Sequence, residues 1–254
     1  MEISLSGKLA VVTGGSRGLG RGFATSLLEK GAKVVILDIG KEEGEETLKK
    51  LQEQFGKDNV YFYRCDVTDR KQFEDTMATI DKDVGRLSVM VNNAGIFNEQ
   101  DWEKMISINL VAMIRGTKLA TDLMKKDNGG DGGVVLNISS IAGLGWYMNS
   151  EVYCASKFGV VGFTKSMALN SDTLKWDIRY LCMCPAFADT ALIGAIKEST
   201  GLHKEVDTGI EKAGGILSVQ EVADGFMKMI LTSDNGGLAV ISKMGLTYKQ
   251  DEQK

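Results

Sequence analysis

A tyrosine followed four residues later by a lysine, Tyr153 and Lys157, presents a phenol and an ammonium on one face of a helix. Ser140, thirteen positions before the tyrosine, adds a hydroxyl that can converge on the phenol if a strand end carries it. A free phenol with a pKa of about 10 is a poor base at neutral pH, and each unit of depression favours phenolate by about 1.36 kcal/mol. A nearby cation therefore turns such a pair into an acceptor for an alcohol proton. Removing that proton is half of an oxidation, and the hydride needs its own acceptor. Far upstream, Thr13-Gly14-Gly15-Ser16-Arg17-Gly18-Leu19-Gly20 offers a place for one, a glycine-rich turn where a pyrophosphate could rest on exposed backbone N–H groups.

These groups can meet only if strands and helices bring them to one sheet edge. Residues 8–13 read as a strand, the glycine turn leads into a helix over 19–30, and 34–37 form a second buried strand. A charged helix over 41–54 and a strand over 60–63 complete a β-α-β-α-β order. A helix over 70–84, a strand over 87–91, one long helix over 102–126 and a strand over 134–138 follow, placing Ser140 at a strand's C-terminal end, where open parallel sheets carry ligands. A helix over 152–170 carries Tyr153 and Lys157. Further strands are expected over 178–183 and 238–241, with a helix over 219–231 between them. The segment 185–215 reads as an irregular substrate loop, with Gly194, Gly201, Gly209, Gly214 and Gly215 as hinges. The expectation is an α/β, single-domain, Rossmann-type doubly wound sheet over 1–254, with about seven parallel strands and helices on both faces.

Asp38 ends the second strand about 20 residues after the glycine turn, where a carboxylate can accept both ribose hydroxyls of NAD and repel the 2′-phosphate of NADP. Arg17 pulls the other way, since a cation in the turn attracts a 2′-phosphate; it could also lie over the adenine or pair with Asp38. Two like charges at close range outweigh one adjacent cation, so NAD is expected. Asp66, after the third strand, could accept from the adenine amino group or simply cap the strand end.

A net charge of −4 with no dense Lys/Arg run argues against nucleic acid as a partner. No stretch approaches the roughly 20 apolar residues of a membrane helix, and the N-terminus lacks a leader pattern, so a cytoplasmic location is expected. Cys65, Cys154, Cys182 and Cys184 lack metal-site spacing and read as reduced buried thiols; the single histidine, His203, has no ligand cluster around it, so no metal is expected.

The glycine turn, Asn92-Asn93-Ala94-Gly95, Ile108-Asn109-Leu110 and the Ser140, Tyr153, Lys157 set together resemble the short-chain dehydrogenase/reductase family over nearly the whole chain. The resemblance implies an enzyme in which Tyr153 is the general base, Ser140 orients the substrate hydroxyl, and Lys157 binds the nicotinamide ribose and lowers the tyrosine pKa. It implies that Asn109 holds a water linking the lysine to solvent. Cofactor contacts are implied for Gly14, Ser16, Arg17, Gly18, Leu19, Gly20, Asp38, Ile39, Asp66, Val67, Asn93, Ala94, Gly95, Tyr153, Lys157, Pro185, Ala188 and Thr190, with Thr190 on the carboxamide and Asn93 beside the ribose. Trp146, Tyr147 and Met148, between Ser140 and Tyr153, are expected to wall the substrate site with Ser150, Phe187 and Leu192, unless they are ordinary loop packing. A relative carries glutamine at Ser150 and tyrosines near Ala213 and Gly214, so smaller groups here imply an altered pocket. Pro185-Ala186 replaces the family's frequent Pro-Gly. The implied substrate is an apolar secondary alcohol or its ketone, such as an oxylipin, steroid or terpenoid, and the implied assembly is a homodimer through the 102–126 and Tyr153 helices. A cofactor-binding regulator without catalysis is the alternative outside enzymes.

Overall fold

The computed structural model describes residues 4–232 and 234–249; residues 1–3, on which the leader reading partly falls, lie outside them. Eight strands form one sheet in the order β3-β2-β1-β4-β5-β6-β7-β8. They are β1 (Leu9–Thr13), β2 (Lys33–Asp38), β3 (Val60–Arg64), β4 (Leu87–Asn92), β5 (Gly133–Ile138), β6 (Ile178–Pro185), β7 (Leu238–Ser242) and β8 (Gly245–Tyr248). The first seven run parallel, as expected from their order. β8 is an added antiparallel edge strand on β7, which the sequence analysis missed because its residues are mostly exposed and make no apolar run.

Alternation along the central strands explains the two covered faces. Ala10, Val12, Val34 and Ile36 point into one core with Phe23 and Leu27 of α1 (Gly18–Glu29) and Phe226 and Ile230 of the helix over 219–232. The Phe23 and Phe226 rings stack with centroids 4.4 Å apart. Leu9, Val11, Val35 and Leu37 point to the opposite core, against Phe73, Met77 and Ile80 of the helix over 70–83 and against Ala120 and Met124. α2 (Lys41–Phe55) and α3 (Arg70–Asp83) follow β2 and β3.

The long helix expected over 102–126 is instead α4 (Trp102–Ile106), a π-helical stretch Ser107–Ala112, and α5 (Met113–Met124). Lys125 turns extended (ψ 139°) and ends it. α6 (Glu151–Leu169) carries Tyr153 and Lys157 and is followed by α7 (Ser171–Lys175). The segment expected to be irregular contains two helices, α8 (Ala191–Thr200) and α9 (His203–Lys212), before α10 (Val219–Thr232). Gly194 and Gly209 lie inside these helices and are not hinges. Gly201, Gly214 and Gly215, with φ of 69°, 83° and 112°, sit at helix ends.

A buried polar chain ties the helices behind the site to the sheet. Asn92 Nδ2 donates to Asn137 Oδ1 (2.8 Å) and Thr117 Oγ1 (3.1 Å), and Thr117 Oγ1 donates to Asn137 Oδ1 (3.1 Å). Asn137 Nδ2 then donates to Thr164 Oγ1 (2.9 Å), which donates to Val160 O (2.7 Å). With its partners in place such a network fixes β4, β5, α5 and α6 against one another; a lost member would leave buried groups unpaired at about 1–3 kcal/mol each.

Candidate active site

The sheet order reverses between β1 and β4, and a crevice opens at the C-terminal ends of the strands there. One cleft of about 1230 Å³ runs from the glycine turn past Ser140 and Tyr153 to α8 and α9. The turn's shape needs its glycines. Gly14 has φ 61°, and a Cβ on Gly20 would lie 2.1 Å from Gly14 O. Asn93 Nδ2 donates to Thr13 O (2.9 Å) and Gly14 O (3.0 Å), while the Asn93 and Ala94 amides both donate to Thr13 Oγ1 at 3.0 Å. Asn93 thus faces the cleft but its amide braces the glycine turn.

The N-terminus of α1 has neither a side-chain cap nor an acidic residue in its first turn. Its free N–H groups and positive dipole end suit an anion such as a pyrophosphate. Ser16 is buried behind the cleft wall, and its hydroxyl is, among the described residues, the buried side-chain oxygen without a hydrogen-bond partner. A phosphate oxygen is the kind of acceptor that would satisfy it. Asp38 accepts from Ser16 N (3.0 Å, Oδ2) and Gly40 N (3.1 Å, Oδ1), which leaves lone pairs on both oxygens for ribose hydroxyls. Among the described residues Arg17 and Asp38 form no ion pair. Asp66 Oδ1 accepts from Thr68 N and Oγ1, a turn-capping role that leaves Oδ2 available.

Gly14, Arg17, Gly18, Leu19, Gly20, Asp38, Ile39, Asp66, Val67, Ala94, Gly95, Pro185, Ala188 and Thr190 all line the cleft. Thr190 caps α8, accepting from Leu192 N at 3.4 Å, and its methyl approaches Gly18.

Ser140 ends the β5 segment, and its Oγ accepts from Ala142 N (3.2 Å) to start a tight turn over 141–143. Tyr153 is buried in the first turn of α6, its ring 4.9 Å from that of Phe97. Lys157 is also buried; its Nζ donates to Ile138 O (3.1 Å) and lies 5.6 Å from the Tyr153 ring centroid. Burial pushes the Tyr153 phenol up to about 12, with the Ser140 hydroxyl opposing. Burial draws the Lys157 amine down to about 8, with Cys182 and Cys184 opposing. The depression of Tyr153 expected from Lys157 is therefore not produced by the protein's own groups. The amine sits over the ring face with an N–H committed to Ile138 O, and desolvation penalises the charged form of both residues.

Asn109 is set behind the cleft, in the π-helical stretch. Its Oδ1 accepts from Ile96 N (2.8 Å) and its Nδ2 donates to Ile96 O (2.9 Å) and Ser156 Oγ (3.4 Å). A π-turn shifts the backbone pairing locally, a device common at functional sites. The sequence analysis named Asn109 but not the turn that holds it.

Trp146, Tyr147, Met148, Ser150, Phe187 and Leu192 line the other half of the cleft. Trp146 is 88% exposed and Met148 69%, so they stand at its mouth and are not loop packing. Ser150 is buried and donates to Met148 O (3.1 Å). Ala213 and Gly214 do not line the cleft; they follow α9, with Gly214 beside Lys243.

Fold and site together define the class. The chain belongs to the short-chain dehydrogenase family, whose model, described as "short chain dehydrogenase", matches residues 8–201. Human 15-hydroxyprostaglandin dehydrogenase [NAD(+)] is 43% identical over 89% of this chain and 87% of its own length. Trans-4-hydroxycyclohexanecarboxylate dehydrogenase of Sinomonas cyclohexanicum is 34% identical over 76% of this chain and 77% of its own. In fold, the chain superposes on a short-chain dehydrogenase/reductase from Burkholderia phymatum, solved in complex with NAD, with a TM-score of 0.79 at 23% identity, covering 90% of this chain and 87% of that one.

Proposed function

We propose that this protein is an NAD-dependent dehydrogenase that converts a hydrophobic secondary alcohol to its ketone, with Tyr153 as general base. The observation that carries the reading is the single cleft lined at one end by the glycine turn and Asp38, and at the other by Ser140, Tyr153 and an apolar wall. The prostaglandin dehydrogenase and the cyclohexanecarboxylate dehydrogenase, both named for hydroxylated substrates, support the alcohol class. The NAD(+) in the human enzyme's name supports the cofactor.

NAD, when bound, would supply the hydride acceptor and a positive charge that favours phenolate. The α1 N-terminus and the glycine turn would hold its pyrophosphate, Asp38 its adenosine ribose and Lys157 its nicotinamide ribose. Ser140 Oγ hydrogen-bonds the substrate hydroxyl, and Tyr153 takes the hydroxyl proton as the carbonyl forms. Lys157 passes the proton onward, with Asn109 and the π-turn positioning the water that receives it. NAD use favours oxidation, since cytoplasmic NAD is mostly oxidised. A cytoplasmic location is supported by four free, buried cysteines. No described helix is long and apolar enough to cross a membrane. A homodimer is supported by the exposure of Trp102, Val111 and Phe158 on the α4–α6 surface.

Asp38→Asn keeps one acceptor for the Ser16 and Gly40 amides while removing the charge. Its ratio of kcat/KM for NADP to that for NAD is expected to rise about tenfold to a hundredfold, the size of a lost charged hydrogen bond and a relieved repulsion. A wild-type preference for NADP would reverse the weighing of Asp38 against Arg17.

The small Ser150 on the wall favours a broader reading, a general apolar secondary alcohol dehydrogenase in which prostaglandins are weak substrates. The hydroxyl-anchoring contact that a larger polar side chain could make is worth up to about 10⁴-fold in discrimination. Alcohol dehydrogenase 1 of Ceratitis capitata, 29% identical over 97% of this chain and 96% of its own length, is compatible with it. A screen of prostaglandins, hydroxy fatty acids, steroids and terpenols, read as NADH absorbance, tests both readings. Several comparable substrates support the broader one, and an exclusive prostaglandin preference rejects it. In the same screen, Trp146→Ala and Tyr147→Ala should reorder the alcohols while leaving NAD affinity within about threefold, because these residues line the substrate half of the cleft.

A further inference from the structure

Helix α6 begins without a side-chain cap from its own N-cap residue. Ser150, at its N-cap, makes no capping bond, because its hydroxyl is turned to Met148 O. The cap comes instead from Glu99, more than 50 residues upstream, whose carboxylate accepts from Val152 N (3.2 Å) and from Tyr153 N itself (2.8 Å). A carboxylate on the first free amides of a helix is a charge-assisted, dipole-favoured cap. It fixes the backbone of the residue that carries the phenol.

The same turn also grips the far end of α8. Glu99 N donates to Ser199 Oγ (3.0 Å), Ser199 Oγ donates to Gln100 Oε1 (2.7 Å), and Gln100 Nε2 donates back to Ser199 O (2.8 Å). Asn149 Nδ2, just before α6, donates to Thr200 O (3.2 Å). Between its ends α8 lays Leu192, Ala195 and Ile196 on the cluster containing Phe97 and Tyr153, and its Thr190 cap stands over Gly18 of the glycine turn. One helix thus spans the cleft from the cofactor turn to the start of the catalytic helix, with Gly201 (φ 69°) ending it beyond the grip.

We propose that Glu99 is a positioning residue for Tyr153, and that Glu99, Gln100 and Ser199 form a clasp through which seating of α8 over the substrate sets the first turn of α6. The proposal rests on the reading of Tyr153 as general base and of 185–215 as the substrate cover. The clasp makes three demands on α6 and α8 at once: the Tyr153 amide must be protected, the end of α8 must be protected, and loss of the second must loosen the first.

The test is amide hydrogen exchange and steady-state kinetics on the full chain with saturating NAD, for Glu99→Ala, Glu99→Gln and Ser199→Ala. Glu99→Ala should lower kcat about tenfold or more through misplacement of the phenol, with substrate KM and NAD affinity within about threefold. Glu99→Gln, which keeps one acceptor and stands in if the alanine variant does not fold, should fall between. Ser199→Ala should raise KM and speed exchange both at 196–201 and at Val152 and Tyr153. The double variant should be no slower in kcat than Glu99→Ala alone. Exchange in Ser199→Ala confined to α8, or an unchanged kcat in both Glu99 variants, overturns the clasp. Because exchange at Val152 and Tyr153 is read without turnover, a failure of Tyr153 as base would show separately, as persistent activity in Tyr153→Phe.

Discussion

Tyr153→Phe is expected to lower kcat for alcohol oxidation by about 10²–10⁴-fold, the usual worth of a positioned general base, while NAD binding stays within about twofold. The ring can remain packed on Phe97, so the substitution removes one oxygen and little else. Stopped-flow NADH formation measures the first quantity and fluorescence titration the second; substantial turnover in the variant would take Tyr153 out of the mechanism. The wild-type pH profile should carry a sign as well. With burial holding the phenol up to about 12 and the Lys157 amine near about 8, proton loss is the difficult part of oxidation. The oxidation rate should therefore rise with pH through the region of the amine, while ketone reduction, whose phenol stays protonated well above it, should stay nearly flat over the same range. An oxidation rate flat from pH 6 to about 10 would separate the chemistry from these two groups.

Lys157→Met should be as damaging to activity and should leave the fold about as stable as wild type. It would remove the proposed ribose hold and proton relay, so kcat/KM is expected to drop about 10³-fold, with part of the loss in NAD affinity. In the folded protein the amine titrates near about 8 against an ordinary value of 10.5. The unfolded chain thus binds more protons between those values, and stability rises with pH across that window. Below it the folded chain carries the full penalty of a buried cation, about 3 kcal/mol at 1.36 kcal/mol per unit. Methionine removes that penalty but leaves Ile138 O without its donor, a loss of about 1–3 kcal/mol. The two nearly cancel, so a melting temperature at pH 7 equal to or slightly above wild type is expected beside a nearly dead enzyme. A Tm many degrees lower would show that Lys157 supports the fold and does not strain it.

The parallel core was legible because its strands are buried on both faces: LAVVT and KVVILD are apolar runs bounded by turn residues, and the parity of β1 alone assigns both cores. Ser140, Tyr153 and Lys157 were legible because their spacing maps onto one strand end and one helical face. What escaped depends on long-range geometry. Helices α8 and α9 were hidden by glycines that a helix tolerates at modest cost, and β8 by its exposed residues. The cap on α6 comes from Glu99, and no local window around Tyr153 contains it. Nor could spacing show that Asn93 braces Gly14, that Ala213 and Gly214 lie off the cleft, or that burial outweighs the lysine in setting the phenol.

The polar chain from Asn92 to Val160 has a consequence for how this protein can vary. Each hydroxyl in it accepts one proton and donates another, and each amide is oriented by its neighbours, so every member has one workable hydrogen arrangement. A valine in place of Thr164 would strand the Asn137 amide, and an aspartate in place of Asn137 would bring an acceptor to the place of that donor. Drift at these four positions is therefore concerted: descendants of this sequence can change Asn92, Thr117, Asn137 and Thr164 together, or hold them all, while the apolar neighbours on the same strands exchange Val, Ile and Leu one at a time.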